Sequence, residues 1–215
     1  MASQLEEQAD RVPRKRTGKF AERRAELGEA ALQTLATLGY ARTSMREIAQ
    51  NSVFSHGVLH YYFTDKVDLI VCSVGQYKAR CVARYDVAAA DAATYGEMMD
   101  GFLRALGDTL RDEAHMHRLW YDLRAQALFE EAFRADIAAI EESLENMVMR
   151  TMKRLSELAE APVVLAPSVL YALIDGLFQR SLLRHLSGEE GAVESLRADA
   201  RTAIDALFRV AAHAA

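Results

Sequence analysis

The stretch SMREIAQNSVFSHGVLHYYFTDK, residues 44–66, holds two short helical patterns separated by a tight turn. Ser44 opens the first: its hydroxyl can accept from a free backbone amide while Glu47 reaches back, the reciprocal S-x-x-E capping box. Met45, Ile48 and Ala49 then recur at helical spacing on one face. Ser55 is the second cap, and in the helix it begins, Val58, Leu59, Tyr62 and Phe63 divide between packing and exposure. Thr64-Asp65 stops that helix and a third restarts at Lys66. Helices joined by so short a connection cross steeply, so the second can lie in a DNA major groove while the first braces it. The pattern predicts a helix-turn-helix.

Upstream, an amphipathic helix from about Thr17 places Phe20, Leu27, Ala31, Leu35 and Leu38 on one face and ends at Gly39-Tyr40. With these residues together, the chain resembles the TetR family of bacterial regulators. That family's pattern, I-A-x-x-A-G-V-S-x-G-x-L-Y-x-x-F-x-x-K, stands here as Ile48, Ala49, Ser52, Val53, Phe54, Ser55, Gly57, Leu59, His60, Phe63 and Lys66. Val53 replaces the turn glycine, Phe54 the following valine and His60 a tyrosine of the recognition helix. Glycine serves where φ is positive, and a β-branched residue there would be strained, so the turn is expected to take another conformation.

Composition points the same way. Three prolines among 215 residues and long alanine-leucine runs favour an all-α protein. No apolar run reaches the length of a membrane span, and the amino terminus carries acids where a secretory signal needs an apolar run, so a soluble cytoplasmic protein is expected. The whole-chain charge of −5 conceals a division: from Arg11 to Lys66, ten Lys or Arg face five acids. A basic module on an acidic body keeps phosphate attraction where docking is wanted. Arg14-Lys15-Arg16 reads as a solvated tail or as an arm reaching toward DNA. Cys72 and Cys81 are nine apart on one helical pattern, out of phase with each other, so neither a mutual disulfide nor a metal framework is expected.

Phase assigns roles along the recognition helix. Ser55, His56, Val58, His60 and Tyr61 are the exposed candidates: imidazoles can donate to or accept from base edges, Val58 can meet a thymine methyl, and Tyr61 offers a phenol to phosphate. Thr43, Ser44 and Arg46 would reach the DNA from the first helix, and Lys66 resembles the family's phosphate-binding lysine. His56-x-x-x-His60 could hold two metal nitrogens, but no third ligand lies nearby in sequence, so no metal and no cofactor are expected.

The expected organisation is a basic arm over 1–16, a helix-turn-helix domain over 17–64 and a helical effector-binding and dimerisation domain over 65–215. In the last, helices are expected over about 65–89, 95–111, 114–128, 131–158, 167–186 and 190–212. In the first of the final two, Val169, Leu170, Leu173, Ile174, Leu177, Phe178, Leu182, Leu183 and Leu186 make a stripe wider than one core-facing seam requires, and the second offers Val193, Leu196, Ala200, Ala203, Ile204, Leu207, Phe208 and Ala211. A helix apolar on two sides needs cover on two sides. The resemblance implies that this cover is a second copy, in a four-helix bundle of the last two helices, and that the homodimer binds a palindromic double-stranded operator with half-sites roughly 34–36 Å apart. It also implies repression relieved by a small-molecule effector.

Phe102, Trp120, Arg124, Met147, Tyr171, Asp175 and Phe178 are the candidate effector-binding residues, a mix of aromatic, soft and polar groups suited to a mostly apolar cavity. Arg124 and Asp175 sit within apolar stretches and must face solvent, a partner or a ligand. Two other readings remain: a DNA-binding or architectural protein without an effector, and a helical di-iron carboxylate enzyme. The enzyme needs paired Glu-x-x-His motifs, and the chain has none. The crowding of Asp112, Glu113, His115 and His117 reads as a solvated loop or helix edge.

Overall fold

A computed structural model describes residues 2–90 and 92–213, with side chains over 18–87 and 92–208. Among the described residues eight α-helices run in order: α1 (Ala2–Leu38), α2 (Met45–Gln50), α3 (His56–Tyr62), α4 (Lys66–Ala90), α5 (Tyr95–Ala127), α6 (Arg134–Ala159), α7 (Pro167–Leu186) and α8 (Ala192–His213), with a 3₁₀ turn at Glu131–Phe133 before α6. No strand occurs among the described residues, so the fold is all-α. No helix among them is long and apolar enough to cross a membrane. The chain groups into two units, Met1–Tyr77 and Lys78–Ala215, the division falling inside α4. The basic arm expected over 1–16 lies outside the residues whose side chains are described.

In the first unit, Leu27, Ala31, Leu32 and Leu35 of α1 are buried with Met45 and Ile48 of α2, Leu59 of α3, Phe63, and Leu69 and Ile70 of α4. Gly39 ends α1 with φ +74°, the left-handed conformation that closes helices, and its amide donates to the Leu35 carbonyl. One ion pair fastens the start of α4: Arg24 donates to Asp68 (Nη1–Oδ2 3.2 Å), also donates to the Tyr62 carbonyl, and lies over the Phe63 ring at 4.4 Å. Asp68 additionally accepts from the Thr64 amide at 3.0 Å, capping the helix start. The bond from Arg24 holds the Asp68 carboxyl below the usual carboxylate range.

In the second unit α5 packs against α6, α7 and α8, and α7 packs against both α6 and α8. Met98, Met99, Phe102, Leu106, Leu110, Trp120 and Leu123 of α5 form its spine, covered by Met152 and Leu155 of α6, Leu170 and Leu182 of α7, and Leu196, Ala200 and Ile204 of α8. Thr94 caps α5 with a complete capping box: its side chain accepts from the Glu97 amide at 3.2 Å, and Glu97 accepts from the Thr94 amide at 3.1 Å.

Two helices were expected where α5 runs. The structure has the break between them: α5 is two helical stretches meeting at non-helical dihedrals at Glu113 (φ −127°, ψ 20°), between the expected 95–111 and 114–128. Neither proline nor glycine causes this break; Glu113 is instead held by Arg84 of α4 through both carboxylate oxygens, at 2.6 and 2.7 Å. The reading of 112–117 as a solvated edge is corrected by burial: His117 faces the core, while Asp112 is exposed.

Candidate functional site

The helix-turn-helix surface is built by its two serine caps. Ser44 accepts from the Glu47 amide at 3.2 Å and Ser55 from the Val58 amide at 3.3 Å, each satisfying one of the free amides at a helix start. Among the described hydrogen bonds only the Ser44 half of its expected box is made. The turn manages without glycine. Asn51 ends α2 at φ −101°, Ser52 Oγ accepts from the Phe54 amide at 3.3 Å, and Glu160 is the only non-glycine with positive φ among the described residues. Val53 is therefore unstrained, and it stands 92% exposed.

Leu59 and Phe63 are fully buried and anchor α3. Around the rest of α3, His56, His60 and Tyr61 are exposed and Val58 is half-buried. Tyr61 is 73% exposed, its ring edge-on to Phe20 at 6.5 Å. His56 and His60 share a hydrogen bond between Nε2 atoms, 3.1 Å apart, so one imidazole donates to the other.

Ser44, Arg46 and Ser55 are exposed near these rings in sequence. Thr43 and Lys66, also expected at the DNA, have partners within the protein. Thr43 is buried and its hydroxyl donates to the Gly39 carbonyl at 2.7 Å. Lys66 donates to the Tyr40 carbonyl at 2.9 Å and lies 3.8 Å from that ring's centroid, tying the turn after α1 to the start of α4.

The second unit holds a cavity of about 70 Å³. From the sequence candidates it gathers Trp120, Met147, Tyr171, Asp175 and Phe178. Phe102 is buried against Tyr85 with ring centroids 5.7 Å apart and does not line the cavity. Arg124 stands behind the wall: it donates to Asp175 (2.6 Å), pairs with Glu141 (2.7 Å), and lies 5.9 Å from the Trp120 ring centroid. The Tyr121 hydroxyl donates to Asp175 at 2.9 Å. Arg124 and Asp175, which had to face solvent, a partner or a ligand, thus find each other.

The cavity also takes Lys78, Cys81, Tyr85 and His117, which the sequence reading passed over as lining groups. Lys78 is buried, with Nζ 3.2 Å from His117 Nδ1 and 5.0 Å from the Trp120 ring centroid. Burial pushes its amine down to about 8. Burial, helped by the Lys78 charge, holds His117 well below the ordinary imidazole range, so it stands neutral and its Nδ1 can accept from the lysine. Burial raises the phenols of Tyr85, Tyr121 and Tyr171, so all three remain protonated donors near neutral pH. The signal for Lys78 was present in the sequence. Val74, Lys78, Cys81 and Tyr85 recur at the spacing of one helix face, which places a lysine in a core position. Both cysteines are free thiols, Cys81 buried and Cys72 half-buried.

Comparison with known proteins agrees with both halves. The model for bacterial regulatory proteins of the tetR family matches residues 27–71, and that for the BetI-type transcriptional repressor C-terminal region matches residues 95–209, more than half of the chain. The chain is 29% identical over 182 residues to the HTH-type transcriptional regulator BetI of Stenotrophomonas maltophilia (strain R551-3), covering 81% of this chain and 88% of that one. Among solved structures, a TetR-family transcriptional regulator from Rhodococcus sp. superposes with a TM-score of 0.71 at 22% identity, covering 87% of this chain and 98% of that one. FadR of Bacillus subtilis, solved with stearoyl-CoA, gives 0.65 at 16% identity, covering 85% and 96%. At such identities the structures show the fold alone. The proteins matched are regulators rather than enzymes, and the helical-enzyme reading falls. The chain belongs to the TetR family of bacterial transcriptional regulators, with a C-terminal region of the BetI type.

Proposed function

We propose that the protein is a sequence-specific repressor: a cytoplasmic homodimer, paired through α7 and α8, that occupies a palindromic operator and leaves it when a small organic effector fills the cavity of the second unit. The observation that carries the DNA half is the two-sided character of α3. Leu59 and Phe63 fix it in the core while His56, His60 and Tyr61 face outward beside Val58. Side chains held from behind by packing present base-reading groups in a fixed geometry, which is what discrimination between base edges requires. Arg46 and Ser44 supply the neighbouring phosphate contacts.

The dimer half is supported by α7. Its inward face buries Leu170, Ile174, Phe178 and Leu182, while Val169, Leu183 and Leu186 remain exposed and Gly176 has nothing within 4 Å of where a Cβ would stand. An apolar face with an open glycine suits close approach by another helix. For release, α4 is the connecting element: Lys78, Cys81 and Tyr85 on it line the cavity, and its first turn carries the Asp68 pair with Arg24. An effector that favours one placement of α4 shifts operator affinity by the difference in its own affinity for the two placements, typically about 1–3 kcal/mol.

Selection of duplexes from a random library by the full-length protein, repeated with Tyr61→Ala, tests the reading. An enriched palindrome with half-sites one helical turn apart, bound less well by the variant, is the expected result. Enrichment of a non-repeated site, or no enrichment at low salt where phosphate attraction is strongest, overturns it.

A further inference from the structure

Resting on the reading of this cavity as the effector site, we infer that its ligand is a small organic acid. The carboxylate is held by the Lys78 ammonium and the Tyr171 hydroxyl, and the hydrocarbon part lies against Trp120, Met147 and Phe178. Four observations converge on this. Lys78 lines the cavity, and its Nζ lies 3.2 Å from His117 Nδ1 and 5.0 Å from the Trp120 ring centroid, both of them lining groups, which sets the ammonium at the cavity wall. The Tyr171 hydroxyl is buried, has no hydrogen-bond partner and lines the same cavity. A buried donor left without an acceptor costs its full desolvation, and a carboxylate oxygen removes that cost. The one carboxylate among the lining residues, Asp175, is already taken by Arg124 at 2.6 Å and Tyr121 at 2.9 Å, leaving the cavity richer in donors than in acceptors. Finally, the space of about 70 Å³ admits a molecule of a few carbons and not a long acyl chain.

The aromatic wall invites the opposite ligand, since rings such as Trp120 and Phe178 also suit a quaternary ammonium ion. Charge decides between them. The Lys78 ammonium lies 5.0 Å from the Trp120 ring centroid, so a second cation on that wall meets a like charge. In a partly buried site such repulsion exceeds by several times what one ring face returns, and an anion gains by the same interaction. The charged and titratable groups around Lys78 are Cys81 on α4, Glu113, His117 and Arg124 on α5, and Asp175 on α7. His117 is neutral and Glu113 is bound by Arg84, while Asp175 is shared between Arg124 and Tyr121.

The test is calorimetric titration of the full-length protein at pH 7 with sodium propionate and butyrate, against propionamide, butyramide and tetramethylammonium chloride. It is repeated on Lys78→Met and Tyr171→Phe, each checked for native far-UV dichroism. The acids bind; the amides bind at least ~10-fold more weakly; Lys78→Met loses at least ~30-fold and Tyr171→Phe about 10-fold, as expected for charge-assisted bonds. Wild-type affinity for butyrate falls about 10-fold from pH 7 to pH 9 as a lysine titrating at about 8 loses its proton. Absence of acid binding, or acid binding unchanged in Lys78→Met, overturns the assignment. If tetramethylammonium binds instead and Trp120→Ala abolishes it, the acid is wrong while the effector cavity stands. If no probe of the three classes binds, the effector reading falls as well.

Discussion

Replacing Lys78 by methionine, which keeps the chain's length and removes its charge, is predicted to stabilise the second unit at neutral pH. The lysine falls from 10.5 to about 8 on folding because burial strips its ammonium of water. At about 1.36 kcal/mol per pH unit, that is a cost of about 3 kcal/mol whenever both folded and unfolded states are protonated. The sign follows from linkage. A folded pKa below the unfolded one means that the unfolded chain binds more protons between about pH 8 and pH 10.5, so wild-type stability rises with pH across that window and the cost is full below it. Methionine has no such dependence. It also forfeits the lysine's bond to His117, worth about 1 kcal/mol at any pH.

The variant is therefore more stable than wild type by about 2 kcal/mol at pH 7 and less stable by about 1 kcal/mol near pH 10.5. Urea unfolding followed by fluorescence reads this directly, because Trp120 is the only tryptophan and lies in the same core. A difference between the two proteins that stays constant from pH 7 to pH 10.5, or a less stable variant at pH 7, refutes the reasoning.

Phe63→Ala removes a fully buried ring that anchors α3 and should destabilise the first unit by about 3–5 kcal/mol, seen as lost amide-exchange protection in α2 and α3 and as lost operator binding. Gly107→Ala would place a Cβ 2.1 Å from Arg197 Nε, so the flexible Arg197 side chain must swing off its partly exposed pair with Asp108 (2.9 Å); with alanine favouring the helix by about 1 kcal/mol, stability by thermal denaturation should change by no more than about 1 kcal/mol, and a larger drop would mean that Arg197 is not free to move. Leu183→Glu puts a charge on the exposed apolar face of α7, where Leu183 is 69% exposed, and should yield monomers in sedimentation velocity with the native helix content kept.

The DNA-binding half was legible because its signals are local. A serine cap followed by apolar residues at helical spacing marks α2 and α3, and the structure starts both helices one residue after Ser44 and Ser55. Pro167 and Ser187-Gly188 bounded α7 at Pro167–Leu186, for proline suits a first helical turn and glycine its exit. Thr94-x-x-Glu97 is an equally local signal, marking the start of α5.

The cavity was legible only in part because its signals are distant in sequence. Trp120, Met147, Tyr171, Asp175 and Phe178 announce themselves as bulky or polar residues in apolar helices, but the pairing of Arg124 with Asp175 spans 51 positions and no periodicity encodes it. The break in α5 at Glu113 stands in the gap expected between 95–111 and 114–128, while the bond that Arg84 makes to Glu113 spans 29 residues and has no local signal. Lys78 was missed because a single lysine in a long helix ordinarily belongs to its solvated face. The residues at Val74, Cys81 and Tyr85 place it on the buried one.

The most direct test of the account is an anisotropy titration of the full-length protein at 150 mM salt. It compares the duplex enriched from the random library with a scrambled duplex of the same length and composition. The account requires two protomers per enriched duplex and an affinity at least ~10³-fold above that for the scrambled one, the range in which specific recognition exceeds phosphate attraction. Equal affinity for the two duplexes, or a single protomer on the enriched one, would contradict a dimeric operator-binding regulator.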